Sequence, residues 1–244
     1  MEESLLTVTD SEYDVKDIIN KIADLSSFTQ IQSEYAKNIV TGFARMNSST
    51  VGIVANQPCE KNGALDIAAC EKAARFIRFC DSFNIPVVTF TDVPGYAPEL
   101  SQEQGGIVSK GAKLISAYAE ATVPKINVIL KKAYGSAYIA MCSKQLGADC
   151  VIAWPTAEIS VMSPSGAAIL VLDGEISDNP TQERQKKINE YKTKYANPYQ
   201  AAKYGFIDDI AEPDSTRPRI IAALEMFASK REVRPDKKHT NLPL

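Results

Sequence analysis

Apolar positions along this chain alternate between a helical and a strand rhythm. Over residues 12–25, Val15, Ile18, Ile19, Ile22 and Leu25 fall at helical spacing, with Ser11 as a candidate cap. Segments 28–32, 37–46 and 50–55 carry strand-type residues, and Asn47-Ser48-Ser49 separates the last two as a turn. A loop holding Pro58 and Asn62-Gly63 leads into a helix predicted over 66–83, with Ile67, Ala74, Ile77 and Phe83 turned inward. Pro86 to Phe90 reads as a buried strand. DVPGYAPELSQEQGG then reads as a loop, and a small-residue helix is predicted around 107–120. A strand at 126–130, a tight turn at Gly135-Ser136 and a helix at 137–146 repeat the unit. Strands near 150–153 and 158–162 follow, then a helix beginning near Gly166.

Strand, loop and helix in regular alternation predict an α/β fold built on right-handed crossovers. From about 178 the pattern changes. TQERQKKINEYKTKYANPYQAAKYG is charged and helical, and Thr216–Lys230 places Ile220, Ile221, Leu224 and Phe227 on one stripe. A single domain is expected, with its core over about 12–175 and a helical arm over about 178–244.

Composition narrows the functional classes. With 244 residues, 45% hydrophobic and 23% charged, the chain has ordinary globular composition and enough length for a substantial core. A net charge of −3 gives no general reason to expect nucleic acid or an anionic membrane as partner. The acidic start MEESLLTVTDSEYD lacks the layout of a signal peptide, and no apolar run approaches the roughly 20 residues of a membrane span. The five cysteines are odd in number and none are spaced CxxC, which argues against a zinc cluster or disulfide framework and for a reducing cytoplasm. Cys80 and Cys142 read as core. The single histidine, His239, lies in a basic tail, so chemistry through a His triad or a His metal cluster is disfavoured and no metal is expected.

The strand–turn–helix junction in VPKINVILKKAYGSAYIAM, residues 123–141, offers a different chemistry. Such a junction aims backbone N–H groups at one point, where the helix dipole also favours negative charge. It suits an oxyanion without requiring an unusual side chain. The same glycines, Gly95 and Gly135, are equally at home as simple turn residues.

Several segments together carry a family resemblance. YDVKDIINKIAD, NIVTGFARM, VGIVANQP, KAARFIRFCDSFNIPVV, DVPGY, GAKLISAYAEATVPK, KKAYGSAY, AWPTAEISVM, NPYQAAKYGFIDDI and the terminal KKHTNLPL occur in order from about residue 12 to the end. They resemble the C-terminal, biotin-side half of the carboxyltransferase β chain of biotin-dependent acyl-CoA carboxylases and decarboxylases, as in propionyl-CoA carboxylase. The resemblance implies a crotonase-like (ClpP/crotonase) ββα superhelix with a C-terminal helical arm. It also implies a carboxyl group moving between carboxybiotin and a short-chain acyl-CoA. Biotin would arrive on a carrier protein, not on this chain. The expected partners are an N-domain carboxyltransferase subunit, the biotin carboxyl carrier protein and the acyl-CoA, in a hexameric or hetero-oligomeric ring.

By motif, the resemblance assigns Gly135, Ser136 and Ala137 to the catalytic turn, where backbone amides would stabilise the biotin enolate. Gly95, Tyr96 and Tyr134 would hold biotin, the Tyr96 carbonyl accepting from a ring N–H, and Ile139 would line the acyl pocket. The family usually has glycine where Ser136, Glu99 and Ser163 stand, and histidine where Lys110 stands. If Ser136 needed a left-handed backbone, it would cost roughly 1–2 kcal/mol relative to glycine. Two other readings stay open: a subunit of a biotin-independent malonate decarboxylase, and a non-catalytic assembly subunit of an acyl-CoA carboxylase complex. A hydratase of the same fold would usually carry a carboxylate just after the turn, where Tyr138, Ile139 and Ala140 stand. A serine hydrolase using Ser136 lacks the GxSxG elbow.

Overall fold

The computed structural model describes residues 13–172 and 180–233. Helix α1, Val15–Ile22, buries Val15, Ile18, Ile19 and Ile22 on one face. Its cap is Asp14, whose carboxylate accepts from the Lys16 amide at 2.9 Å. Ser11, the expected cap, lies outside the described residues. The helix stops before Leu25 can join its apolar stripe, and Leu25 is 95% exposed.

Three strands then form an antiparallel meander: β1, Thr29–Ile31, β2, Ile39–Met46, and β3, Ser49–Asn56. Asn47 and Ser48 turn between β2 and β3 with φ of 50° and 67°, the conformation whose twist suits a two-residue hairpin. The Asp24 carboxylate accepts from both of their amides, at 3.1 and 2.8 Å.

Beyond β3 every new strand is parallel to its neighbour. Helix α2, Ile67–Ser82, leads to β4, Val87–Val93; helices α3, Leu100–Gln104, and α4, Ile107–Glu120, lead to β5, Lys125–Tyr134. Helix α5, Gly135–Ala140, leads to β6, Cys150–Ala153, and the short β7, Glu158–Ser160, follows. Helices α6, Pro164–Leu172, α7, Pro180–Lys194, and α8, Pro198–Lys203, precede β8, Asp209–Ile210, and α9, Thr216–Met226. The sheet order is β1-β2-β3-β4-β5-β6-β8, with β7 paired to β5 off this path. The α/β alternation is therefore present, wound as a spiral.

Alternate residues of the central strands feed two cores on opposite faces. One lies under α2 and α4 and contains Val54, Ile77, Leu114, Tyr118 and Ile129. The other lies under α1 and α9 and contains Ile18, Phe90, Val128, Trp154 and Ile220. Ile221, Leu224 and Phe227 pack against the second core, so the apolar stripe of α9 faces the sheet as its spacing predicts.

Besides Leu25, four local expectations need correction, each for a physical reason. Phe83 is 62% exposed because α2 ends at Ser82, and its ring rests on Phe79 instead of the core. Part of the expected loop after β4 forms α3. The strand predicted at 126–130 continues to Tyr134, because its second half finds β7 as a partner and the Asp92 carboxylate accepts from the Lys132 amide at 3.0 Å. The helix predicted at 137–146 ends at Ala140. There the buried Asn127 carboxamide donates to the carbonyls of Met141 and Cys142, both at 3.0 Å, and Cys142 takes φ 59°. These carbonyls are drawn to the sheet and do not continue the helix.

Cys70, Cys80 and Cys142 are buried, and burial pushes each thiol from an ordinary 9.0 up to about 12. In the unfolded chain they ionise near the ordinary value, so unfolding releases protons above that pH. Their contribution is thus complete below about pH 9 and is lost as the pH rises towards 12. A thiol reagent at pH 8 is expected to label exposed Cys59 first and these three only after denaturation. Denaturant midpoints should fall with pH above about 9, and rapid native labelling of Cys80 or Cys142 would contradict the packing described.

Candidate active site

The C-terminal ends of β4, β5 and β7 meet at one edge of the sheet. Val93 pairs with Ala133, and Tyr134 pairs with Ser160, so the loop after β4 and the turn after β5 begin side by side. After β4 comes Pro94-Gly95-Tyr96, with Gly95 at φ 153°, a backbone region open essentially to glycine. The Leu65 amide donates to the Gly95 carbonyl at 3.1 Å, and the Ala97 amide donates to the Leu65 carbonyl at 2.8 Å. Since backbone groups alternate in direction along this bridge, the Tyr96 carbonyl between them points away from Leu65. The Tyr96 ring lies over Gly111, where an added Cβ would stand 3.0 Å from its hydroxyl oxygen.

After β5, Tyr134 holds the N-cap position of α5 in an extended conformation, and no side chain caps that helix. Gly135 takes φ 60°, and a Cβ there would sit 3.2 Å from the Val161 carbonyl. Conformation and close approach both demand glycine at this position. Ser136 is exposed and is not among the residues with positive φ; Ala137 is fully buried. The left-handed strain that would attend Ser136 is therefore absent. Ile139 is 39% exposed on the outer side of α5.

The remaining departures from the family pattern have plain structural roles. Ser163 caps α6, its hydroxyl accepting from the Gly166 amide at 3.2 Å. Lys110 pairs with Glu71 at 3.3 Å. Glu99 is exposed at the start of α3. His239 lies outside the described residues.

Sequence reading missed the carboxylates behind this edge. Asp92 is 1% exposed and accepts from the Tyr13 hydroxyl at 2.8 Å, while the Lys132 ammonium lies 3.9 Å away. Burial, with Asp92 adding to it, pushes the Tyr13 phenol far above its ordinary range. Glu158 accepts from the Tyr134 hydroxyl through one oxygen and from Lys192 of α7 through the other, at 2.7 Å for the lysine. Burial and then the Glu158 carboxylate raise the Tyr134 phenol, which remains a hydrogen-bond donor. Their signal was available: an acidic residue in or next to a predicted strand, in TFTDV and AEIS, requires a partner where the strand is buried.

A cleft of about 290 Å³ lies at the opposite end of the sheet, between the β2–β3 turn and α9, with Met46, Pro124, Leu224 and Lys230 in its wall. It has no part in this edge. Among the described residues no group of three or more His, Cys, Asp or Glu side chains could hold a metal ion. No helix there is long and apolar enough to cross a membrane.

The model of the carboxyl transferase domain family matches residues 5–242. The chain belongs to that family. It is 55% identical over 234 residues to the propionyl-CoA carboxylase carboxyltransferase subunit of Haloferax mediterranei, covering 95% of this chain and 45% of that protein. It is 53% identical to the methylmalonyl-CoA decarboxylase subunit alpha of Propionigenium modestum, again over 95% of this chain and 45% of the relative. The chain thus spans about half the length of the curated relatives it matches. Among solved structures, the transcarboxylase 12S hexamer with methylmalonyl-coenzyme A and methylmalonic acid bound superposes with a TM-score of 0.91. That match is at 52% identity and covers 96% of this chain and 46% of the other. The fold is accordingly crotonase-like.

The two positions of the turn make opposite demands. Gly135→Ala should lose about 1–2 kcal/mol from the left-handed backbone alone, whereas Ser136→Gly should change stability by less than about 1 kcal/mol. Urea unfolding of the two variants checks this. Equal losses would mean that the strain does not lie at Gly135.

Proposed function

We propose that this chain forms the biotin side of a carboxyltransferase site that moves a carboxyl group between carboxybiotin and a short-chain acyl-CoA. One observation carries the reading: the uncapped start of α5 opens beside a loop whose Tyr96 carbonyl is turned outward. Donors and an acceptor are thereby offered at one edge, as the two faces of a ureido group require. When bound, biotin on a carrier protein supplies the carboxyl group and the base.

The residues of this chain hold and orient. The Ser136 and Ala137 amides would face the ureido oxygen and favour its negative charge, and the Tyr96 carbonyl would accept from a ring N–H. Gly95 and Gly135 permit the backbone paths, Tyr134 braces the turn, and Ile139 lines the acyl pocket. A single backbone donor of this kind is worth about 2.7–4 kcal/mol of barrier. Because these donors are fixed before the reaction, they need no reorganisation when charge develops.

The relatives are about twice this length, which supports an N-domain subunit as the source of the remaining walls and most of the CoA contacts. The transcarboxylase 12S hexamer supports a ring-shaped assembly with that subunit, served by a biotin carboxyl carrier protein. The names of the relatives include both a carboxylase and a decarboxylase, so both directions belong to the proposal. The odd number of cysteines, with no CxxC spacing, supports a reducing cytoplasm as its place.

The test mixes the purified chain with its N-domain partner, free biotin and malonyl- or methylmalonyl-CoA, and follows decarboxylation. The chain alone should be silent and the pair active. Turnover by the chain alone would overturn the half-site reading. Activity that ignores biotin would point to the malonate decarboxylase branch, and a silent but fully assembled pair to an assembly subunit.

A further inference from the structure

We infer that Glu158 is a positioning residue that ties the catalytic turn to helix α7, and that Lys192 neutralises it so that the turn can accept an anion. The second clause rests on the reaction proposed above; the linkage itself belongs to the chain.

Glu158 opens β7 opposite Lys132, two positions before Ser160, the partner of Tyr134. Its side chain is 21% exposed, and each of its two oxygens has a separate partner, the Tyr134 hydroxyl and the Lys192 ammonium. Tyr134 is 7% exposed and directly precedes Gly135, so the ring held by Glu158 belongs to the residue from which the turn departs. Strand β7 therefore grips the turn twice. Its backbone pairs with Tyr134 and brings the Val161 carbonyl against Gly135, while its Glu158 side chain fixes the tyrosine ring.

On the far side, α7 packs chiefly on α6, and Lys192 is the side chain that reaches from it to Glu158. The placement of a charged outer helix is thus connected to the backbone donors through one carboxylate. The two carboxylates hydrogen-bonded to the end of β5 each have a lysine, Asp92 with Lys132 and Glu158 with Lys192. An unneutralised carboxylate in this partly buried setting would oppose any negative charge held at the α5 amides, because water screens poorly there.

Two experiments test the two clauses. In the chain alone, hydrogen exchange of the 133–143 peptide should quicken in Glu158→Ala, together with that of α7, since the tyrosine loses its acceptor. In Glu158→Gln the carboxamide oxygen still serves Tyr134, so exchange should quicken in α7 while 133–143 stays close to wild type. Unchanged exchange of 133–143 in Glu158→Ala would overturn the linkage. In the reconstituted pair, Lys192→Gln should lower kcat about tenfold, the penalty of leaving a carboxylate unpaired beside the site. Adding Glu158→Gln to that variant should restore most of the loss. A double variant no better than Lys192→Gln alone would overturn the charge clause and leave the lysine a mere pin. An inactive wild-type pair would overturn the reaction on which that clause depends, while the exchange of 133–143 still decides the linkage.

Discussion

The architecture of this edge depends on β5 staying extended through Lys131 and Lys132. Its first half pairs with β4 and β6; only because it continues can its second half pair with β7. The interaction that permits this is the bond from the Lys132 amide to the buried Asp92 carboxylate, placed where the β4–β5 register shifts between Thr91 and Val93. A bulge leaves backbone groups unmatched, and a carboxylate inside the sheet can take one of them. Asp92 is itself held by Tyr13, so a residue next to the first helix helps to set how far β5 runs. If the chain turned after Leu130, Gly135 would not reach Val161, and Tyr134 would not reach Glu158.

What was legible in the sequence follows from the range of the forces involved. The inward faces of α1, α2 and α9 were readable because burial of a helix is written in the spacing of its own apolar residues. The Asn47-Ser48 turn was readable because hairpin geometry is local. The errors at Leu25 and Phe83 came from extending a stripe past the point where the backbone leaves the helix. The errors at β5 and α5 have another origin. There Asp92 and Asn127, each contributed by a strand, compete for backbone groups and override local preference. No pattern in residues 130–146 announces those side chains.

The candidate site was legible mainly through likeness to a family, and for a physical reason. A site made from backbone amides and a carbonyl leaves little trace in side-chain chemistry. Gly135 is the exception, since a left-handed residue pressed against a carbonyl has to be glycine. The neighbouring position carries no such demand. The loss of a second glycine at Ser136 therefore puts no left-handed strain on the backbone, and Ser163 even supplies a cap that glycine could not. Family glycines are informative only where the backbone needs them.

Electrostatics gives the edge its remaining logic. Backbone donors are partial charges, and a full carboxylate close by would cancel several of them. Yet the edge needs carboxylates, because Tyr13 and Tyr134 are buried phenols whose hydroxyls require acceptors. A neutral acceptor would be weaker, and an isolated anion would oppose any negative charge held at the α5 amides. Pairing each carboxylate with a lysine meets both requirements, with the acceptor strength kept and the net charge removed. Lys132 comes from the strand that bears the turn, whereas Lys192 comes from a helix outside the sheet. One neutralisation is thus built into the fold, and the other depends on where α7 lies.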